Sequence, residues 1–296
     1  MPDALDESTA DLPPVLYHYT STTGILGILK SGSLWATDIR FLNDERELDY
    51  GVDLAMPILT EKLARLGFSG LGQGFLNAFP DPTGTNRHFV ACFCEEGDLL
   101  SQWRGYASPG GYAIGLDASE IVTASSMKMF QRVWYDIAEV GNLMEEWACL
   151  TTDGFVAVFG DSLREYEDGK AASNFAPSWG EMLYNFEARF FARLEYCCSL
   201  VKHPSFEEER EWRVLRSRSS SRNEVSKISF REGSLGLTPY AVLDFSNDKG
   251  LVPLKEIIVG PGRNMDLRIR SVSLLLEELG YGSDVRVIAS KIPFRP

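Results

Sequence analysis

Residues Phe206–Leu215 read F-E-E-E-R-E-W-R-V-L, and this run constrains the fold more than any other stretch. Side chains of a β-strand point to opposite faces with a period of two. A strand here turns Trp212 and Val214 toward a core and Glu209, Glu211 and Arg213 toward the other face. Two carboxylates spaced E-x-E on one strand face lie roughly 7 Å apart, near enough to address one ligand. Carboxylates serve as general bases, as nucleophiles, or as stabilisers of a cationic sugar. The same spacing also describes a solvated strand face laced with arginine.

The flanking chain supplies a sheet for this strand. Residues 1–14 are an acidic lead-in ending at Pro13–Pro14. Val15–Thr20 reads as a strand, and Ser21 or Thr22 caps a helix with an apolar face of Ile25, Leu26, Ile28 and Leu29. Gly32 ends that helix, and Ser33–Asp38 is a second strand. Phe41–Glu47 reads as a turn feeding a helix that Asn43 or Asp44 is expected to cap, with acidic residues in its first turn, and that runs to about Leu66. Gly67–Gly84 is a long glycine-rich loop. Arg87–Cys94 and Gly111–Asp117 read as strands around a short helix capped by Asp98, and Lys128–Tyr135 as a further one. From about Ala138 to Val201 the pattern is helical, an insertion in the middle of the chain. Strands at Lys227–Phe230, Tyr240–Phe245 and Leu254–Val259, a helix at Leu267–Gly280 and a strand at Val285–Ala289 complete the reading. Residues 15–296 are therefore expected to form one α+β domain.

Several function classes are disfavoured. A net charge of −13 lacks the electrostatic footprint of a dedicated nucleic-acid binder. No run of about 18 apolar residues appears, and the acidic opening has no apolar core of a secretory signal. The five cysteines contain no C-x-x-C, which fits reduced thiols and a cytoplasmic location. His18, His88 and His203 lack metal-ligand spacing, so no metal is expected. Trp103 and Tyr106 lie three apart on the short helix and share a face, as core or as a ligand platform. The turn I-I-V-G-P-G-R-N at Ile257–Asn264 is either a tight strand-to-helix turn or an anion site with Arg263 beside it.

Taken together, Y-H-Y-T, F-L-N-D-E-R-E, W-R-G-Y and E-R-E-W-R, spread from Leu16 to about Gly262, resemble a bacterial domain family of unknown function. That family is defined by N-D-x-x-E, W-x-x-Y and E-x-E-W-R blocks. The opening strand–helix–strand unit also resembles the ADP-ribosyltransferase superfamily, including its DNA-modifying toxin branch. This resemblance implies a split mixed or antiparallel sheet and NAD as substrate. It assigns His18, with Tyr19 beside it, to the NAD ribose and Trp35 or Thr37 to the nicotinamide side. Glu211 falls under the reacting sugar and Glu209 completes the paired-glutamate spacing. Asn43, Asp44 and Glu47 then shape the site, and Trp103 and Tyr106 are candidate ligand contacts.

The chemistry implied is cleavage of the nicotinamide–ribose bond and transfer of ADP-ribose to an unknown macromolecular acceptor, in a toxin or phage-defence effector. Transfer to water would make the protein an NAD glycohydrolase. A catalytically silent nucleotide-binding module and another carboxylate-dependent hydrolase are the readings from other classes.

Overall fold

The computed structural model describes residues 11–42, 47–65, 87–107, 110–123, 130–146, 194–218, 228–233 and 235–293. Its first unit is the expected one: β1 (Val15–Thr20), α1 (Thr22–Ser31) and β2 (Ser33–Asp38). Ser21 caps α1 by accepting the Gly24 amide at 3.2 Å. Gly32 closes it at a φ of 67°, a left-handed conformation that carries no Cβ penalty for glycine. Ile25, Ile28 and Leu29 are buried, but Leu26 is exposed. The stripe passes through 25, 28 and 29, and residue 26 is rotated about 100° from residue 25.

Further along the chain come α2 (Glu47–Arg65), β3 (Arg87–Cys94), α3 (Leu100–Tyr106), β4 (Tyr112–Asp117), α4 (Ala118–Thr123) and β5 (Phe130–Arg132). The chain continues with β6 (Glu211–Arg218), β7 (Ile228–Gly233), β8 (Gly236–Asp244), β9 (Leu254–Val259), α5 (Met265–Glu278) and β10 (Arg286–Ala289). Within the expected insertion, residues 137–146 and 194–198 are helical. The rest of it, the glycine-rich loop at Gly67–Gly84, and Asn43 and Asp44 lie outside the described residues.

The strands form one sheet in the order β10-β9-β4-β1-β3-β2-β8-β7, with β6 paired to β3 and β5 to β6. β9 and β10 pair in parallel, and the other strand pairs are antiparallel. This is a mixed, mostly antiparallel α+β architecture. One edge of β3 is fully paired with β6, from Arg87↔Arg218 to Cys94↔Glu211. Its other edge is shared: Cys94 pairs with Tyr17 of β1, while Phe89 and Val90 pair with Asp38 and Thr37 of β2. Between those pairs Ala91, Cys92 and Phe93 have no ladder partner on that edge, so the sheet is split where β1 and β2 diverge.

Register assigns the faces. Trp212 and Val214 point into the main core with Leu16, Leu34, Phe93 and Ile114, as the alternation requires. Val90 and Leu215 point the other way, into a second cluster with α2 and the helical segments near 140 and 197. A third cluster on that same side joins Tyr19, Cys94 and Trp103.

Two expectations are corrected here. Glu209 does not start the strand: Pro204–Glu209 form a 3-10 helix, and Arg210 turns the chain at a φ of 40° before β6 begins. Pro204, placed at the helix start, favours that turn over an extended run. Asp98 does not cap α3 with its side chain. It accepts instead from Trp103 Nε1 at 2.7 Å, Ser290 Oγ at 2.5 Å and the Lys291 amide at 2.7 Å, tying α3 to the chain after β10.

Candidate functional site

Where β1 and β2 part, a cleft of about 600 Å³ opens through the sheet. Because the split removes the ladder there, residues from both faces reach one space. His18 comes from the face of Leu16. Glu211 comes from the opposite face, where its ladder partner is Cys94. Trp35, Thr37, Tyr106 and Glu209 also line the cleft.

His18 donates from Nδ1 to the Cys92 carbonyl at 3.0 Å, filling part of the unpaired edge of β3. A carbonyl only accepts, so the proton sits on Nδ1 and Nε2 of the neutral ring is an acceptor. Burial pushes the His18 pKa below its ordinary 6.5; the Cys92 bond opposes this and Arg231 adds to it. The sign follows. Between the lowered value and 6.5 the unfolded chain binds the extra proton, so the stabilising contribution is complete above 6.5 and is lost as pH falls below it. Wild type is therefore expected to lose melting temperature from pH 7.5 to 5.5 more steeply than His18→Gln. Equal slopes in thermal melts would show that His18 is not the buried neutral group.

The carboxylate side is organised by a residue that the strand pattern does not reveal. Lys202 Nζ donates to Glu209 Oε2 at 2.7 Å and to Glu211 Oε2 at 3.0 Å. Arg213 grips Glu211 in a fork, Nε to Oε1 at 2.8 Å and Nη2 to Oε2 at 3.0 Å, and also donates to the Ser199 carbonyl. The Glu211 amide donates to Tyr135 Oη at 3.0 Å. All four charged residues are buried. Burial alone would lower the Lys202 pKa, but Glu211 and Glu209 override it and hold the ammonium well above its usual range. Burial raises Glu209 despite Lys202. Burial, and then Glu211, push the Cys92 and Cys94 thiols far up, so neither is a thiolate at neutral pH.

The two glutamates thus converge, but on an ammonium shortly after the helical residues 194–198 rather than on open solvent. The signal available was slight: Lys202 is a single cation closing the apolar run C-C-S-L-V. Arg231 of β7 was also missed. It lines the cleft and donates from Nη2 to Thr37 Oγ1 at 3.0 Å.

Trp103 does not line the cleft. It is 2% exposed, packs edge-on to Tyr19 with ring centroids 4.8 Å apart, and spends its indole N–H on Asp98. Tyr19 borders the cleft, but its ring belongs to that same core. Its hydroxyl donates to the Glu96 carbonyl and accepts from the Leu99 amide, both at 2.9 Å. Tyr106, three residues on, is 45% exposed and lines the cleft. Glu47 opens α2. The glycine turn after β9 is held by Arg268, which donates to the carbonyls of Gly110, Gly111 and Gly260. Among the described residues, no three His, Cys, Asp or Glu side chains gather as a metal-ligand set. No described helix is long and apolar enough to cross a membrane.

A family model described as a protein of unknown function (DUF2971) matches residues 102–214. The matched segment runs from α3 into β6, so it holds Tyr106 and the whole Lys202–Glu209–Glu211–Arg213 group. His18, Trp35, Thr37 and Arg231 lie outside it. No curated protein and no solved structure matches the chain.

Proposed function

We propose that the cleft binds an NAD-type dinucleotide, breaks its nicotinamide–ribose bond and passes ADP-ribose to a macromolecule or to water. The observation that carries this reading is the gathering of His18, Trp35, Thr37, Glu209 and Glu211 around one cleft at the split of the sheet. Four of the five have a matching role. Trp35, 47% exposed and stacked on Tyr240, is a platform for a planar ring. His18 Nε2 accepts from a ribose hydroxyl. As the C–N bond breaks, its electron pair leaves with nicotinamide and positive charge grows on the sugar. Glu211, held by the Arg213 fork, stabilises that charge. Glu209 takes the proton of the attacking acceptor, a role that suits a carboxylate whose pKa is raised.

A second reading has its own observation. Both oxygens of Glu211 are engaged by cations, which weakens it as a stabiliser of another cation. On this reading the cleft binds a nucleotide without turning it over.

Incubation with NAD, followed by free nicotinamide with and without cell extract, separates these readings. Release that needs extract supports a macromolecular acceptor, and release without it supports hydrolysis. Calorimetric binding with no release in either case supports the silent module.

Gly27 tests whether the ligand lies along α1. It lines the cleft, and a Cβ built there would meet nothing within 4 Å. Leu is a better helix former than Gly by somewhat under ~1 kcal/mol. Gly27→Leu should therefore keep the melting temperature and fill the cleft, weakening NAD binding tenfold or more by calorimetry. Unchanged affinity would place the ligand away from α1.

A further inference from the structure

The ion-pair group and His18 leave one side of the cleft unused, the side lined by Trp35 and Thr37 of β2 and by Arg231 of β7, with β8 between the two strands in the sheet. Register places Trp35 and Thr37 on one face with Tyr240 and Val242 of β8, and Thr238 carries that face on to Arg231 of β7. Trp35 stacks on Tyr240 with ring centroids 4.3 Å apart and planes 24° apart, so its indole is braced from one side. Arg231 reaches back across β8 to the Thr37 hydroxyl. Glu209 and Glu211 are engaged by Lys202 and Arg213. Arg231, by contrast, bonds a neutral hydroxyl and forms no ion pair among the described residues. Arg231 itself lines the cleft, as does His18.

We propose that Arg231 is the anion grip of the cleft, holding the diphosphate of a nucleoside diphosphate whose base or nicotinamide ring stacks on Trp35. The proposal rests on the nucleotide-binding reading above and adds the residue and the ligand group that select for phosphate. Trp35 and Thr37 are two residues apart on one strand, roughly 7 Å, a gap that a ribose can bridge between ring and phosphate. Guanidinium is suited to this task because its planar donors match phosphate oxygens in pairs. Lys202 cannot substitute, since both of its carboxylate contacts would have to break.

The test is calorimetry on the full chain with ADP and with adenosine, which differ in the diphosphate alone. Wild type should bind ADP at least tenfold more tightly than adenosine, and the preference should shrink at high salt. Arg231→Gln should lose that preference and leave adenosine binding unchanged. Arg231→Lys, which keeps a charge, should retain part of it. Trp35→Ala should weaken both ligands alike. Arg231 is exposed on an edge strand, so an unchanged melting temperature shows that the variant is folded.

Wild type that binds ADP no better than adenosine overturns the proposal, as does a preference that survives Arg231→Gln. An ADP preference lost in Arg231→Gln, in a protein that never releases nicotinamide from NAD, leaves the anion grip standing and removes the transferase reading. Nicotinamide release with no role for Arg231 does the reverse.

Discussion

Glu211→Gln is expected to lower nicotinamide release from NAD at least a hundredfold and to destabilise the fold by about 3 kcal/mol. The two effects have different causes. Gln keeps the shape of Glu but not its charge, so the group loses one of two carboxylates opposing Lys202 and Arg213. A buried charge left without its partner costs about 3–5 kcal/mol in such cases, and Gln keeps part of the hydrogen bonding. The loss of rate belongs to the sugar cation, which the neutral amide no longer stabilises. Turnover must therefore be measured per folded molecule, with denaturant unfolding run beside it. Glu209→Gln should instead reduce transfer to the acceptor and spare some hydrolysis to free ADP-ribose. If Glu211→Gln loses stability but retains wild-type NAD cleavage, the group is scaffolding and Glu211 is not the residue that stabilises the sugar cation.

Lys202→Met is the second large effect. It leaves the carboxylates of Glu209 and Glu211 together in the interior with Arg213 alone, at an expected cost of about 3–5 kcal/mol at neutral pH. Glu209 already has a raised pKa in the presence of the ammonium, and removing the ammonium raises it further. A carboxyl with a raised folded pKa binds more protons in the native state than in the unfolded one. Stability then falls as pH climbs from the ordinary carboxylate value through the raised one. The variant should accordingly recover stability toward pH 5 and be weakest near pH 8, with a steeper slope than wild type in urea titrations at the two pH values. A pH-independent loss would show that Glu209 does not carry the unbalanced charge.

Local chemistry alone determined a good part of this protein. The β1–α1–β2 unit was legible because Ser21 and Gly32 are punctuation that acts within a few residues of chain. The burial of Trp212 and Val214 was legible because strand alternation is a property of the backbone. The position of His18 opposite Tyr17 and Tyr19 follows from the same period. Pattern misled where a local alternative competed. Pro204 turned the start of the E-x-E run into a 3-10 helix, and Asp98 found stronger partners in Trp103, Ser290 and Lys291 than the free amides of α3.

What only the tertiary structure decided is which charges share a space. Lys202 lies seven residues from Glu209 and nine from Glu211, and the chain between them is a 3-10 helix and a turn rather than one α-helix or strand whose period would link them. Arg231 and Thr37 are 194 residues apart and meet only because β7, β8 and β2 are neighbours. The split of the sheet depends on where β3 exchanges one partner for another, and that choice is set by long-range pairing. Sequence order fixes faces and ends because those are set within a few residues. The neutralisation of a carboxylate and the opening of a cleft depend on distances between segments that the chain brings together only when it folds.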